Sequence, residues 1–137
     1  MDRLVEELKL AEAEAFQHIQ RLIEHINSCI SQTLQMRLAE VENWQTFEEA
    51  EATLLFNATK WNVLFTSSLY GYGFSLNDFA ALWKKKLPGL RIKREELCAD
   101  MFSFDKYLDT KTMKVMSGAE QKGKKPLFQQ LVLEPLW

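Results

Sequence analysis

Residues Val63–Phe74 read VLFTSSLYGYGF, and the interpretation of the whole chain depends on them. They begin inside an uncharged, largely apolar run at 62–66, which is followed at once by Ser67, Ser68 and a pair of glycines two positions apart. An apolar run of this length that ends in turn residues predicts a buried strand leading into a loop.

A helix is predicted directly after this loop. Ser75 with Asp78 three positions later has the spacing of a capping box, in which each side chain bonds a free backbone N–H of the first turn. One face of the helix then carries Leu76, Phe79, Ala80, Trp83 and Leu87. The helix is expected to end before Pro88-Gly89. Residues 62–87 therefore predict a strand, a loop and a helix in the order of an α/β unit.

A long amphipathic helix is predicted at 1–34, starting at Arg3. Its apolar residues recur every three or four positions: Leu4, Leu8, Ala11, Ala15, Ile19, Leu22, Ile26 and Ile30. Asp2 stands where an N-cap residue belongs, and taken alone that is its ordinary interpretation.

The other segments are less regular. Residues 35–61 are predicted to be a variable acidic insertion, irregular or partly helical, with Glu40, Glu42, Glu48, Glu49 and Glu51. Residues 88–137 predict a short helix at Arg94–Met101, a hairpin from Phe104–Leu108 and Met113–Met116, a basic loop at 117–125, and a helix from Pro126 that Pro135 would interrupt.

The end of the sequence is more apolar than a solvated terminus should be, as though the chain were cut off there. No later segment is available to cover Leu127, Phe128, Leu131, Val132, Leu136 and Trp137. We therefore expect these residues to form an exposed apolar patch through which the chain associates.

Composition places the chain among soluble globular proteins. Of 137 residues, 47% are hydrophobic and 26% charged, with a formal net charge of −2. The apolar share is too high for a disordered chain. The net charge gives no overall positive field to attract nucleic acid. No basic-then-apolar leader and no apolar run of about 18 residues occurs in the sequence, so neither secretion nor a membrane span is supported.

Few side chains suggest chemistry on their own. Cys29 and Cys98 lie far apart and outside any metal or redox motif, which fits structural thiols in a reducing compartment. His18 and His25 are about two helical turns apart, too far to share a metal without other ligands. The lysines at 84–86 and 122–125 either contact RNA phosphates or form a solvated helix end and loop.

Four stretches together resemble a known family. Met1-Asp2 resembles the end of the Asn-Lys-x-Asp guanine-specificity motif, and 63–74 is similar to the next motif of translational GTPases. Residues 113–118 and 122–134 read MKVMSG and KGKKPLFQQLVLE, and they resemble the elongation factor-like GTPases of large ribosomal subunit maturation, within the elongation factor 2-like family.

The resemblance implies a fold: a partial P-loop GTPase of the translational type, an α/β G domain lacking its N-terminal half. Residues 88–137 would be its inserted α+β subdomain, truncated at the C-terminus. By the same resemblance Asp2 selects guanine, Ser67 braces the loop, and the backbone N–H of Ser68 or Leu69 meets the guanine O6.

The resemblance also implies GTP as ligand, with Mg²⁺ bound by the parent protein. The phosphate loop, switch segments and metal ligands are not found in this sequence, so no catalytic or metal-binding residue is assigned and the chain alone is expected to be inactive. The implied partners are the large ribosomal subunit and a Shwachman-Diamond-syndrome protein, in the cytoplasm, with neither a membrane nor sequence-specific nucleic acid. The implied activity is release of an anti-association factor from that subunit.

Two departures and two alternatives remain. Ser68 replaces the family's Ala or Gly, which is tolerable because the backbone binds the base, and Cys98-Ala99 stands where Trp-Gly is usual. The alternatives are a segment of the elongation factor 2 translocase itself, or a stand-alone α+β interaction module that binds no nucleotide.

Overall fold

The longest element is α1, Glu12–Leu38, and its apolar stripe forms one wall of the core. Ala15 and Ile19 of the predicted stripe are buried, as is Phe16, whereas Leu22 and Ile26 of the stripe are exposed. The computed structural model describes residues 1–38 and 44–136. The predictions for Glu40, Glu42 and Trp137 fall outside these ranges. Within them, no helix is both long enough and apolar enough to cross a membrane.

The first helix does not begin at Arg3, and this prediction was wrong. Arg3–Glu7 form a single wide π-helical turn, which ends as the N–H of Leu8 donates to the carbonyl of Arg3 at 2.8 Å. Lys9 then takes a left-handed φ of 48°, which stops any helix. Periodicity could not detect the break because the spacing of Leu4, Leu8 and Ala11 continues across it in the sequence, although Leu8 is 50% exposed.

The acidic insertion contains a regular helix, so its predicted partly helical character is confirmed. Residues Trp44–Leu54 form α2, which packs against α1. The Asn27 side chain on α1 bonds both the N–H and the carbonyl of Phe56, each at 2.8 Å. This pair of hydrogen bonds ties the end of the insertion back to α1.

The predicted strand at 62–66 is short and shifted. Strand β1 spans Phe65–Ser67 and pairs antiparallel with β2, Tyr72–Phe74, across a turn in which Gly71 has φ of 65°. Sequence analysis placed β2 in the loop, because its glycines were read only as turn residues. The strand–loop–helix unit therefore contains a hairpin before its helix.

Both sheets are two-stranded and antiparallel, and no parallel pair occurs in residues 1–38 and 44–136. The mixed α and β class is confirmed, but the parallel strand arrangement implied by an α/β unit is not seen. A parallel partner needs a crossover connection, whereas the strand after a tight turn pairs antiparallel. The P-loop fold itself stays a prediction.

The two helices after this hairpin are confirmed. Helix α3 spans Leu76–Lys86 and begins with the predicted capping box, in which the N–H of Ser75 donates to the Asp78 carboxylate at 2.7 Å. Helix α4 spans Arg94–Met101 and packs against α3. Helix α3 was predictable because its start signal, Ser75 with Asp78, is local in the sequence.

The second hairpin is confirmed as well. Strands β3, Lys106–Asp109, and β4, Lys114–Ser117, pair antiparallel. The Asp109 carboxylate shapes their turn by accepting the N–H of Lys111 at 3.1 Å and the hydroxyl of Thr112 at 2.7 Å.

The prediction of an exposed apolar patch near the C-terminus was wrong for the residues described. Leu127, Phe128, Leu131 and Val132 are at most 2% exposed. The Phe128 ring lies 4.7 Å from that of Phe16 on α1, so the N-terminal half supplies the cover that was expected from further along the chain. Only Leu136 is half-buried.

Pro135 does not interrupt the last helical segment. A π-helical stretch, Gln129–Leu133, continues into an α-helical turn, Glu134–Leu136, because the segment widens before the proline. In an α-helix the N–H of residue 135 would bond the carbonyl of Leu131, but proline has no N–H. This carbonyl accepts the indole N–H of Trp83 instead.

Candidate functional site

The loop that follows β1 lies against the first residues of the chain. Oδ2 of Asp2 accepts the backbone N–H of Leu69 at 3.0 Å, across 67 positions of sequence. The amino group of Met1 donates to the carbonyl of Thr66 at 2.7 Å. Within the loop, the N–H of Tyr70 donates to Oγ of Ser67 at 3.1 Å. These bonds bring Asp2, Ser67 and Leu69 to one place.

Asp2 is not an N-cap. Its backbone is helical, with φ of −49° and ψ of −46°, and its side chain makes no capping hydrogen bond. An N-cap residue instead has an extended backbone and bonds the N–H groups of its own first turn. The carboxylate faces the loop at 67–69, so the ordinary interpretation of this aspartate fails.

The loop keeps Asp2 ionised. The Ser67 hydroxyl, and then the backbone N–H of Leu69, hold the pKa of Asp2 below its ordinary value, with a smaller contribution from the N–H of Ser68. Hydrogen bonds donated to a carboxylate favour its charged form. The site therefore presents a fixed negative charge at neutral pH.

The second carboxylate oxygen of Asp2 lacks a partner. Oδ1 is shielded from solvent and makes no hydrogen bond within the described part of the chain. A buried acceptor without a donor is unfavourable, and such an atom in a native protein calls for an explanation. Because Oδ1 is shielded, the N–H donors of a ligand would reach it only once the loop at 67–69 shifts.

The loop residues differ in exposure. Ser67 is only 3% exposed, which suits a residue that holds the loop together. Ser68 and Leu69 are exposed, Leu69 to 65%. Of the four residues predicted from the sequence, Ser67 is buried, whereas Ser68 and Leu69 are exposed and the N–H of Leu69 is bonded to Asp2.

Two further residues belong to this site and were missed. The hydroxyl of Tyr70 donates to Oε1 of Glu6 at 2.8 Å, which fastens the loop to the wide turn at 3–7. That hydrogen bond raises the pKa of Tyr70, so the hydroxyl stays protonated. Sequence analysis read Glu6 only as a first-turn carboxylate, and no sequence signal links it to a residue 64 positions away.

An apolar groove of about 670 Å³ lies beside the site, between α1 and the segment that enters β1. Its lining includes Leu4, Leu22, Ile26 and Leu64, and none of the four predicted guanine-binding residues. The groove and the loop are therefore separate features.

Other candidate chemistry gains no support from the geometry. No group of three or more His, Cys, Asp or Glu that could hold a metal ion occurs among residues 1–38 and 44–136. Cys29 is exposed and Cys98 buried, both as free thiols, and burial raises the pKa of Cys98. A buried thiol with a raised pKa is unreactive, which fits the structural role predicted for it.

Comparison with known proteins places the chain in a class. No family model matches it. It is 33% identical to the human Elongation factor-like GTPase 1 over 159 aligned residues, which include all of this chain and 14% of that protein. It is 34% identical to Ribosome assembly protein 1 of Saccharomyces cerevisiae and 37% identical to the protein of that name in Schizosaccharomyces pombe, with 13% of each covered.

The whole chain aligns with proteins named as GTPases, so it is a segment related to GTPases. The chain belongs to the elongation factor-like GTPase family, which includes Ribosome assembly protein 1, as its sequence motifs predicted. It spans 13–14% of the length of these relatives.

Proposed function

We propose that this chain carries the guanine-recognition part of a ribosome-assembly GTPase, formed by Asp2, Ser67, Ser68 and Leu69. The supporting observation is the hydrogen bond between the Asp2 carboxylate and the N–H of Leu69, which joins the two sequence motifs of the proposed pocket. A stand-alone interaction module gives no reason for a carboxylate at the chain start to hold this loop.

The chemistry of the pocket follows from the groups present. An ionised carboxylate accepts hydrogen bonds from N1–H and the exocyclic amine of guanine, neither of which adenine offers at those positions. Oδ1 of Asp2 is an acceptor that lacks a donor. The N–H of Leu69 bonds Asp2 at 3.0 Å, whereas the N–H of Ser68 contributes less to this carboxylate, so Ser68 is the better candidate to donate to O6.

Triphosphate and Mg²⁺ binding belong to the rest of the protein in this proposal. The chain has no phosphate-loop sequence, and its described residues hold no metal-ligand cluster. Bound Mg²⁺ would neutralise charge on the phosphates during hydrolysis. The chain itself contributes base selection and the position of the loop, and alone it neither binds GTP appreciably nor hydrolyses it.

For the whole protein we propose the activity that the family resemblance implies. GTP hydrolysis in the cytoplasm, with a Shwachman-Diamond-syndrome protein as cofactor, would release an anti-association factor from the large ribosomal subunit. The curated relatives carry the names of elongation factor-like GTPases and ribosome assembly proteins, which favours this activity over that of the translocase.

The test is a change of base preference in the longer protein that contains this chain. Asp2→Asn is expected to weaken GTP binding at least tenfold, because an amide cannot accept both hydrogen bonds. It should improve binding of xanthosine triphosphate, whose second carbonyl can accept from the new amide. Glu7→Gln, the same charge change in an exposed residue of the adjacent turn, is the control and should change neither affinity. Unchanged GTP affinity in Asp2→Asn, with xanthosine triphosphate still rejected, would remove Asp2 from the pocket.

A further inference from the structure

The net charge of −2 conceals a division of the chain into an acidic and a basic part. Residues 1–62 contain 11 Asp and Glu against 5 Lys and Arg, whereas residues 84–125 contain 12 Lys and Arg against 6 Asp and Glu. A division of this size gives the second part its own positive field, which the whole-chain charge hides.

Nine cations of the second part are exposed and without ion pairs in the part of the chain that the structure describes. Six of them belong to the end of α3, the loop after it and the β3–β4 hairpin: Lys85, Lys86, Arg91, Lys93, Lys111 and Lys114. We call this group the basic face. By contrast, Lys125 pairs with Glu134, and Lys84 is drawn inward, where its Nζ donates to the carbonyls of Leu90 and Ile92 at 2.9 and 2.8 Å.

Contacts join the elements that carry the basic face. The hydrogen bonds of Lys84 hold the loop after α3 close to the helix end that carries Lys85 and Lys86. Arg91, in this loop, and Lys114, at the start of β4, line one cleft of about 310 Å³. Gly89, in the same loop, lies near the hairpin, since a Cβ there would be 4.0 Å from Cγ of Met113.

Nearby carboxylates reduce this charge without cancelling it. Asp109 is turned into its hairpin turn, and Glu96 accepts the N–H of Lys93 at the start of α4. Glu96 and Asp100 also line the cleft with Arg91 and Lys114. The attraction for an anion therefore comes from the six cations together and not from the cleft alone.

We propose that the basic face binds the phosphate backbone of RNA without reading its sequence. Distributed lysines suffice for that contact, because each neutralised phosphate releases counterions. An acidic protein partner fits less well, since protein interfaces centre on apolar and aromatic residues and are poor in lysine. Across 84–115, all of which the structure describes, Phe104 is the one exposed large apolar side chain.

The inference does not depend on the guanine site, and its test avoids that site. The 137-residue chain is titrated into a fluorescein-labelled uridine homopolymer, which contains no guanine, and binding is followed by anisotropy in 50–200 mM KCl. With three or four phosphates contacted, affinity should fall roughly 20- to 50-fold over this range.

A charge-matched pair of variants locates the contact. Arg91→Gln with Lys114→Gln should weaken binding roughly tenfold at 50 mM salt and flatten the salt dependence. Arg21→Gln with Arg37→Gln removes the same charge from exposed positions of α1 and should leave affinity within about twofold. Thermal unfolding of both double variants verifies that they fold.

Three results would overturn the proposal. The first is no binding at 50 mM salt, and the second is equal weakening by the two double variants, which would indicate a general charge effect. The third is displacement of the RNA by polyglutamate as effectively as by unlabelled uridine homopolymer, which would assign the face to an acidic polypeptide.

Discussion

The indole N–H of Trp83 lies 2.7 Å from the carbonyl oxygen of Leu131, 48 positions further along the chain. In a regular α-helix this carbonyl would accept from residue 135, which is a proline and has no N–H. A side chain on α3 therefore supplies the donor that the last helical segment lacks, and it joins α3 to the buried C-terminal segment.

Loss of this donor is expected to destabilise the protein. Trp83→Phe keeps an aromatic ring but leaves the Leu131 carbonyl without a donor, so the free energy of unfolding should fall by about 1–3 kcal/mol in urea denaturation. Trp61→Phe, at a side chain that is 56% exposed and contacts the Cys98 thiol, is the control and should destabilise the protein less than Trp83→Phe. Adding Pro135→Ala supplies a backbone N–H and should restore part of the loss. If the double variant is no more stable than Trp83→Phe, the assigned role of the indole is wrong.

The capping box of α3 should give stability that depends on pH. The backbone N–H and hydroxyl of Ser75 hold the pKa of Asp78 below its ordinary value of 3.8. The unfolded chain then takes up this proton first as pH falls, so the contribution is complete above pH 3.8 and is lost as pH drops through the folded pKa.

Urea denaturation at pH 7, 4 and 3 measures this contribution. Asp78→Asn should be less stable than wild type at pH 7, and the difference should shrink at pH 3. Glu95→Gln, in the first turn of α4, serves as the control for the loss of one exposed carboxylate. A difference between Asp78→Asn and wild type that is independent of pH would contradict this account.

The hydrogen bond between Tyr70 and Glu6 should position the guanine loop more than it stabilises the fold. In the whole protein, Tyr70→Phe is expected to weaken GTP binding severalfold while the midpoint of unfolding hardly changes, because the side chain is exposed. Tyr107→Phe removes a hydroxyl remote from the loop and should leave GTP affinity unchanged. A Tyr70→Phe variant with wild-type affinity would show that the loop does not need this bond.

The parts of the fold that sequence predicted are those with local signals. Helix α3 has Ser75 and Asp78 at its start, and the β3–β4 hairpin is marked by a polar turn between alternating residues. Each of these elements is decided by residues only a few positions apart, so the chain nearby contains the information.

The parts that sequence missed depend on distant contacts. Phe128 is buried because Phe16, at the other end of the chain, lies against it. The break after Glu7 is hidden because the apolar stripe continues across it. Tertiary packing decided both, and neither periodicity nor propensity records which distant segment will cover a given face.

The candidate site shows the same division. Family motifs pointed to Asp2 and to Ser67–Leu69, and the structure brings Asp2, Ser67 and Leu69 together. The bond between Glu6 and Tyr70 could not be foreseen, because it depends on the π-helical turn that replaces a regular first helical turn.

The isolated chain should not bind GTP appreciably. Most of the affinity in the proposed site belongs to the triphosphate and Mg²⁺, whose ligands the chain does not provide, and the guanine contacts alone must offset the loss of ligand freedom. A titration with a fluorescent GTP analogue measures this. Saturable micromolar binding that GTP displaces and ATP does not would show a more complete site.

The central claim is that the Asp2 carboxylate recognises guanine, and comparison of GTP with inosine triphosphate tests it most directly. Inosine lacks only the exocyclic amine, so in the whole protein the wild type should bind GTP about tenfold or more tightly than inosine triphosphate, since that amine donates to a charged group. In Asp2→Ala the two nucleotides should bind with nearly equal affinity, because the acceptor of the amine is gone. If Asp2→Ala keeps the wild-type preference for GTP, guanine is recognised elsewhere and the proposed site is wrong.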